Sequence, residues 1–148
     1  MTMPEKKEHA DLRKIIKKWV KSNLDSYCLT IIDDDPRNPL GSSVPAIRGS
    51  IPDLFGHSYK HGIQVIGEAK TSNDIINKHT KKQLRAYLEH LNVYNKKGYL
   101  IVAVPLSDKD EMTNLVRKIV REININILVN IFVIDDISKN ITIAWNVR

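Results

Sequence analysis

Three features of this 148-residue chain predict an α/β fold. Stretches with helical apolar spacing alternate with short β-rich runs. One run, Tyr99-Leu100-Ile101-Val102-Ala103-Val104, is apolar almost throughout, as a strand covered on both faces must be. Turn-forming residues separate the segments. The predicted order is αβββαβαββ, a mixed central sheet with helices on its faces, and the length fits a single domain over 1–148 with one core.

Residues 5–22 read as an amphipathic helix. Leu12, Ile15, Ile16, Trp19 and Val20 recur at helical spacing with lysines between them, and Pro4 stands where the helix can begin. Residues 27–32 form a β-rich run stopped by Asp33-Asp34-Asp35-Pro36. A loop rich in Pro, Gly, Ser and Asn follows over 36–48. Strands are expected at 49–55 and 62–70, joined by a turn over 56–62.

The second helix is expected over 77–94, with Leu84, Tyr87, Leu88 and Leu91 as its buried stripe and Gly98 as its C-terminal cap. After the strand at 99–104, Ser107 is placed to cap a third helix over 108–125. Its stripe is Met112, Leu115, Val116, Ile119, Val120 and Ile123. Strands near 128–134 and 141–146 complete the chain, and Trp145 is expected to pack on the sheet.

Composition narrows the partners. Apolar residues at 42% and charged residues at 27% are ordinary for a soluble globular protein. No apolar run approaches the roughly 18 residues of a membrane span, and the charged first residues lack the apolar core of a signal peptide. One cysteine, Cys28, cannot form an internal disulfide. This agrees with a reducing, cytoplasmic location, and the run around it predicts a buried thiol. A net charge of +6 points to a polyanion such as DNA. Lysines and Arg13 crowd the first helix, and Lys78, Lys81, Lys82 and Arg85 crowd the second. These clusters read either as solvated helix faces or, for the second, as contacts to phosphate.

The chemistry concentrates in Ile51-Pro52-Asp53-Leu54 and Gly67-Glu68-Ala69-Lys70. Residues two apart on a strand share a face, so Glu68 and Lys70 point the same way. With Asp53 on the neighbouring strand, the two carboxylates suit a hard cation, Mg2+ or Mn2+, and the Ala69 carbonyl supplies a further oxygen. Lys70 is placed to orient or deprotonate a water, or to neutralise charge developing on a phosphate. The plainer alternative is a set of strand-end charges. The other acid-x-Lys sequence, Glu5-Lys6-Lys7, lies in a charged run; only the second ends an apolar strand, follows an acidic one and precedes a basic helix.

Pro52-Asp53 followed by Glu68-Ala69-Lys70 resembles the signature of the PD-(D/E)xK, or restriction-endonuclease-like, nuclease superfamily, whose αβββαβ core matches the expected order over 5–104. The resemblance implies a metal-dependent DNA nuclease with Asp53 and Glu68 on the metal and Lys70 assisting the water. Gln83-Leu84-Arg85-Ala86-Tyr87 is similar to a Gln-x-x-x-Tyr element of some branches, which implies a catalytic positioning role for Gln83 and nucleic-acid contact for Tyr87. Tyr87 fits the buried stripe equally well. Many members add an acid from the first helix. Glu8, four residues before Leu12 and seven before Ile15, is the candidate for that ligand, with Glu5 behind it. The wording around Asp53 is also similar to virus-type replication-repair nuclease modules.

Other clusters read more simply. Asp33-Asp34-Asp35 suits a turn better than a cation site. The histidines lack zinc spacing, although His79 falls near the site; Arg48 stands just upstream of the acidic strand. The expected activity is divalent-metal-dependent hydrolysis of DNA phosphodiesters. Alternatives are an inactive nucleic-acid-binding module, a purely structural domain, or a branched-DNA (Holliday-junction) resolvase acting as a homodimer.

Overall fold

The structure is a computed structural model and describes residues 7–33, 44–75, 77–93, 97–123 and 129–146. Helix α1 spans Lys7–Asn23, and strands β1, β2 and β3 span Thr30–Asp33, Leu54–Ser58 and Ile63–Ala69. Helix α2 (Lys78–Val93), strand β4 (Lys97–Val104) and helix α3 (Lys109–Ile123) follow, then β5 (Val129–Asp135) and β6 (Ile141–Trp145). The six strands make one sheet in chain order. β1, β2 and β3 pair antiparallel, β3, β4 and β5 parallel, and β5 and β6 antiparallel. The α/β class, the mixed sheet and the order of elements therefore match expectation.

The parallel register follows from the two crossovers, β3–α2–β4 and β4–α3–β5. Both step the same way across the sheet, so α2 and α3 lie on one face. Alternation along β4 divides the core accordingly. Leu100, Val102 and Val104 pack with Leu84, Tyr87, Leu88, Met112 and Val116 on that face. Tyr99, Ile101 and Ala103 pack with Leu12, Ile16 and Val20 of α1 on the other. Each helix turns the stripe its spacing announces toward the sheet, with Ile15, Trp19, Leu115 and Ile123 only half-buried at the margins. Among the described residues, no helix is long and apolar enough to cross a membrane.

Several boundaries move. Pro52 has no N–H for a ladder, and β2 begins only at Leu54, not 49. Residues 47–50 instead close a tight turn, with Ile47 N–H donating to Ser50 O at 2.6 Å and Ser50 N–H to Ile47 O at 3.0 Å. The β2–β3 turn narrows to residues 59–62. Residues 25–27 form a 3-10 turn, and Cys28 adopts a left-handed φ of 52° after it. The thiol is exposed, not buried as expected. Gly98 lies inside β4 and is no helix cap. A Cβ there would stand 3.2 Å from Leu91, so its hydrogen admits α2 close to the strand. Ser107 sits within a 3-10 turn, Leu106–Asp108, that precedes α3. Pro4, Glu5, Lys6, Asp34, Asp35, Asn95 and Lys96 lie outside the described residues.

Candidate active site

Asp53 immediately precedes β2, and Leu54 pairs with Gly67 of β3. Extending that antiparallel register by one residue sets Asp53 opposite Glu68. The Ala69 N–H donates to Asp53 Oδ2 at 2.8 Å and fixes the carboxylate against β3. Phe55, Ile66 and Tyr87 share one core, so Asp53, Glu68 and Lys70 alternate onto the face that α2 covers. The group converges at the strand ends, beside the C-terminal ends of β3 and β4. β2 and β3 are interior strands, so the site lies at a strand end and not at an edge of the sheet.

Helix α2 returns antiparallel to β3 and reads its residues in reverse. Lys70 Nζ donates to Gln83 Oε1 at 2.5 Å. Four residues on, Tyr87 lies against Glu68. The spacings match, since four helical residues rise about 6 Å and two strand residues about 6.6 Å. Further along, His90 Nε2 meets Gln64 Oε1 at 2.7 Å. The start of α2 is fixed by Asn77, whose Oδ1 accepts the N–H groups of His79 at 2.6 Å and Thr80 at 3.4 Å. Thr80 also donates its hydroxyl to the Asp74 carbonyl, tying the helix to the connection from β3.

The electrostatics separate the two acids. Burial pushes the Glu68 carboxyl well above the usual range, and the adjacent Asp53 charge pushes it further. Lys70 opposes this from 3.9 Å. Burial also raises Asp53, but hydrogen bonds from His9, Glu68 and the Ala69 N–H outweigh it and leave its pKa lowered. The two neighbouring carboxyls are thus pushed apart, Glu68 upward and Asp53 downward. Glu68 is only 4% exposed and Lys70 8%. Among the described residues, Glu68 Oε2 and Tyr87 Oη are both buried and make no well-formed hydrogen bond, although the phenol lies against the carboxyl. Burial, then the Glu68 charge, raises the Tyr87 pKa far above its ordinary value.

A hard cation fits this arrangement. Glu68 Oε2 is a buried carboxyl oxygen with no hydrogen bond among the described residues, and beside it stands Asp53, whose lowered pKa favours the charged form a cation needs. Among the described residues no three His, Cys, Asp or Glu side chains form a ready cage. Mg2+ does not need one, because it keeps several waters and uses one or two carboxylates.

Not every expected residue arrives. Glu8 is exposed; the α1 side chain that reaches Asp53 is His9, with Nε2 at 3.3 Å from Oδ2. The fully buried residues explain this. Counting back seven from Ile16 gives His9, whereas Glu8 lies seven before the half-buried Ile15. The fully buried residues of the stripe, without Ile15 and Trp19, are the signal that would have singled out His9. Tyr87 is completely buried, so its ring offers nucleic acid no surface; it faces Glu68 instead. Lys78 and Lys82 are exposed on α2. Lys81 pairs with Glu122 at 3.3 Å, and Arg85 pairs with Glu89 at 2.7 Å and Glu122 at 3.0 Å. Arg48 pairs with Glu89 at 3.0 Å. Asp33 is buried on the α1 side, with Lys17 at 3.0 Å and Arg13 at 3.9 Å, so part of the basic face of α1 turns inward. His79 is exposed.

No protein-family model and no curated protein matches the chain. Among solved structures, the crystal structure of an XisH family protein from Nostoc punctiforme is similar to it over 89% of this chain and 96% of that one, with 18% sequence identity and a TM-score of 0.47.

Proposed function

We propose that this protein is a divalent-metal-dependent DNA nuclease that hydrolyses phosphodiester bonds. The observation that carries the reading is the convergence of Asp53, Glu68 and Lys70 at the ends of β2 and β3, with Glu68 buried and short of partners. Burying an acid in this way is costly without compensation, and an unmet buried oxygen is most simply explained by a ligand it serves.

Asp53 and Glu68 would hold Mg2+ or Mn2+, with the Ala69 carbonyl as a further oxygen donor. When bound, the cation polarises the phosphate and lowers the pKa of a water. A cation held there would offset the burial that disfavours the charged form of Glu68. Lys70 stays at the face of the acids because Gln83 holds its ammonium, and it supplies positive charge where the phosphate oxygens gain negative charge. Tyr87 closes the inner wall beside Glu68 and keeps water from that side. The exposed lysines of α2, Lys78 and Lys82, extend the positive surface from the site along the helix toward a DNA backbone.

Incubating the chain with single-stranded, duplex and branched DNA, with and without Mg2+ or Mn2+, tests the reading. Metal-dependent cleavage that disappears in Glu68→Gln is expected. Absence of cleavage on every substrate with either metal would count against it. Preferential cutting of branched DNA would favour the resolvase form.

A further inference from the structure

His9 belongs to no motif in the chain, yet it reaches from α1 to Asp53. Its Nε2 stands 3.3 Å from Asp53 Oδ2. The same oxygen accepts the Ala69 N–H at 2.8 Å. Oδ2 is thus gripped from two directions, by a strand backbone and by a helix side chain. Both side chains are largely covered, His9 at 28% exposure and Asp53 at 13%. These two bonds, with the one from Glu68, set the orientation of the whole carboxylate.

We infer that His9 is a positioning residue that holds the Asp53 carboxylate in the orientation a divalent cation needs. The inference rests on the proposed metal seat and adds a residue to it. A neutral imidazole suffices, because an Nε2–H donor fixes the carboxylate without competing for the metal. Carboxylates that ligate metals are commonly anchored by such outer hydrogen bonds, and loss of an anchor costs about 10- to 100-fold in metal affinity or activity. α1 is itself fixed by Leu12, Ile16 and Val20 packed on the sheet, so its first turns form a rigid support.

Calorimetric titration of Mg2+ and Mn2+ into the full chain without DNA tests this, on wild type, His9→Ala, His9→Gln and Glu8→Ala. His9→Ala is expected to bind both metals about 10- to 100-fold more weakly while remaining folded in chelator. His9→Gln, whose amide keeps a donor, regains most of the loss. Glu8→Ala binds as wild type. If His9→Ala binds both metals as tightly as wild type while Asp53→Ala does not, the positioning role is wrong and the nuclease reading stands. If His9→Gln loses Mn2+ but keeps Mg2+, His9 is a direct ligand and the inference is equally overturned. A wild-type chain that binds neither metal removes the nuclease reading and this inference together.

Discussion

Glu68 stands opposite Asp53, one rung beyond the Leu54–Gly67 pair of the β2–β3 ladder, and burial together with the Asp53 charge holds its pKa well above the usual carboxylate range. The arrangement is unfavourable to the fold once the Glu68 carboxyl is ionised. Glu68 has a raised pKa, so between its unfolded value and its folded value the folded protein binds more protons than the unfolded chain. Stability in chelator is therefore greatest at the acid side of that window and falls as pH rises through the folded pKa. Glu68→Gln removes the penalty. It should melt about 2–4 °C higher than wild type at alkaline pH, equivalent to about 1 kcal/mol, with the gap closing as pH falls. The same variant should lose cleavage. Melting curves at several pH values check the sign, and a gap that widens toward acid would refute it.

Lys70 and Gln83 should separate in kinetics. Lys70→Ala removes the charge at the reacting phosphate and is expected to slow cleavage by about 10²- to 10⁴-fold, with DNA affinity little changed. Gln83→Ala leaves the ammonium but frees it. The loss of one hydrogen bond to a charged group predicts a smaller drop, about 10- to 100-fold, mostly in kcat. Single-turnover rates and binding isotherms on the same DNA distinguish the two. Equal losses from both variants would mean that Gln83 acts on substrate directly.

The pattern of acids and bases on α2 was only half legible in the sequence. Lys78, Lys81, Lys82 and Arg85 look equivalent when read along the chain. Glu122 lies far away in sequence, yet α3 brings it to Lys81 and Arg85. Local spacing likewise announced Glu68 and Lys70 on one face, because a strand alternates strictly. It could not show that Gln83 and Tyr87 each meet one of them, since that depends on how α2 returns over β3. The choice between Glu8 and His9 turned on a rotation of α1 smaller than one residue step, about 100°. Pro52 carried a signal for the late start of β2, which the apolar run around it outweighed. Cys28 stood in the same kind of run, but a left-handed turn before β1 brought it to the surface.

The salt dependence of DNA binding should follow the exposed lysines. Each phosphate contact contributes roughly 0.7 to 0.9 to the slope of log affinity against log salt. Lys78→Ala with Lys82→Ala is expected to lower that slope by roughly 1.4 to 1.8. Lys81→Ala with Arg85→Ala should change it much less, because those cations already face Glu122 and Glu89. Fluorescence anisotropy across a salt series measures both. A larger change from the second pair would place the DNA over α3 as well as α2.

Asp135 offers a test of stability apart from the site. It is fully buried at the end of β5 and accepts from Lys109 Nζ at 2.9 Å and from the N–H groups of Ile137 and Ser138 at 2.9 and 2.6 Å. Burial pulls its pKa upward, but bonds from Ser138 and Lys109 dominate and hold it well below the carboxylate range. Its contribution is thus present above the unfolded pKa and lost only in strong acid. Asp135→Ala leaves Lys109 without its acid and the loop to β6 without its anchor. A loss of about 3 kcal/mol in denaturant unfolding is expected, with metal binding unchanged.

Gly67 couples the fold to the site. It lies between Ile66 and Glu68 on β3 and turns its missing side chain toward α1. A Cβ there would stand 2.7 Å from Ile16 Cγ2 and 3.2 Å from Leu54 Cβ, closer than the packing tolerates. Gly67→Ala must therefore push α1 off the sheet, at about 1–3 kcal/mol. His9 lies seven residues before Ile16, about two helical turns, and moves with it away from Asp53. The substitution should weaken Mg2+ binding although Gly67 carries no ligand. Gly98→Ala is the matched control. Its Cβ would press on Leu91 of α2 at 3.2 Å, at the opposite end of the strands, so it should cost stability without changing metal affinity. Chemical unfolding and calorimetry on the two variants decide the matter. Similar stability losses with a metal defect in Gly67→Ala alone would show that the seating of α1, and not general loosening of the core, sets the Asp53 carboxylate.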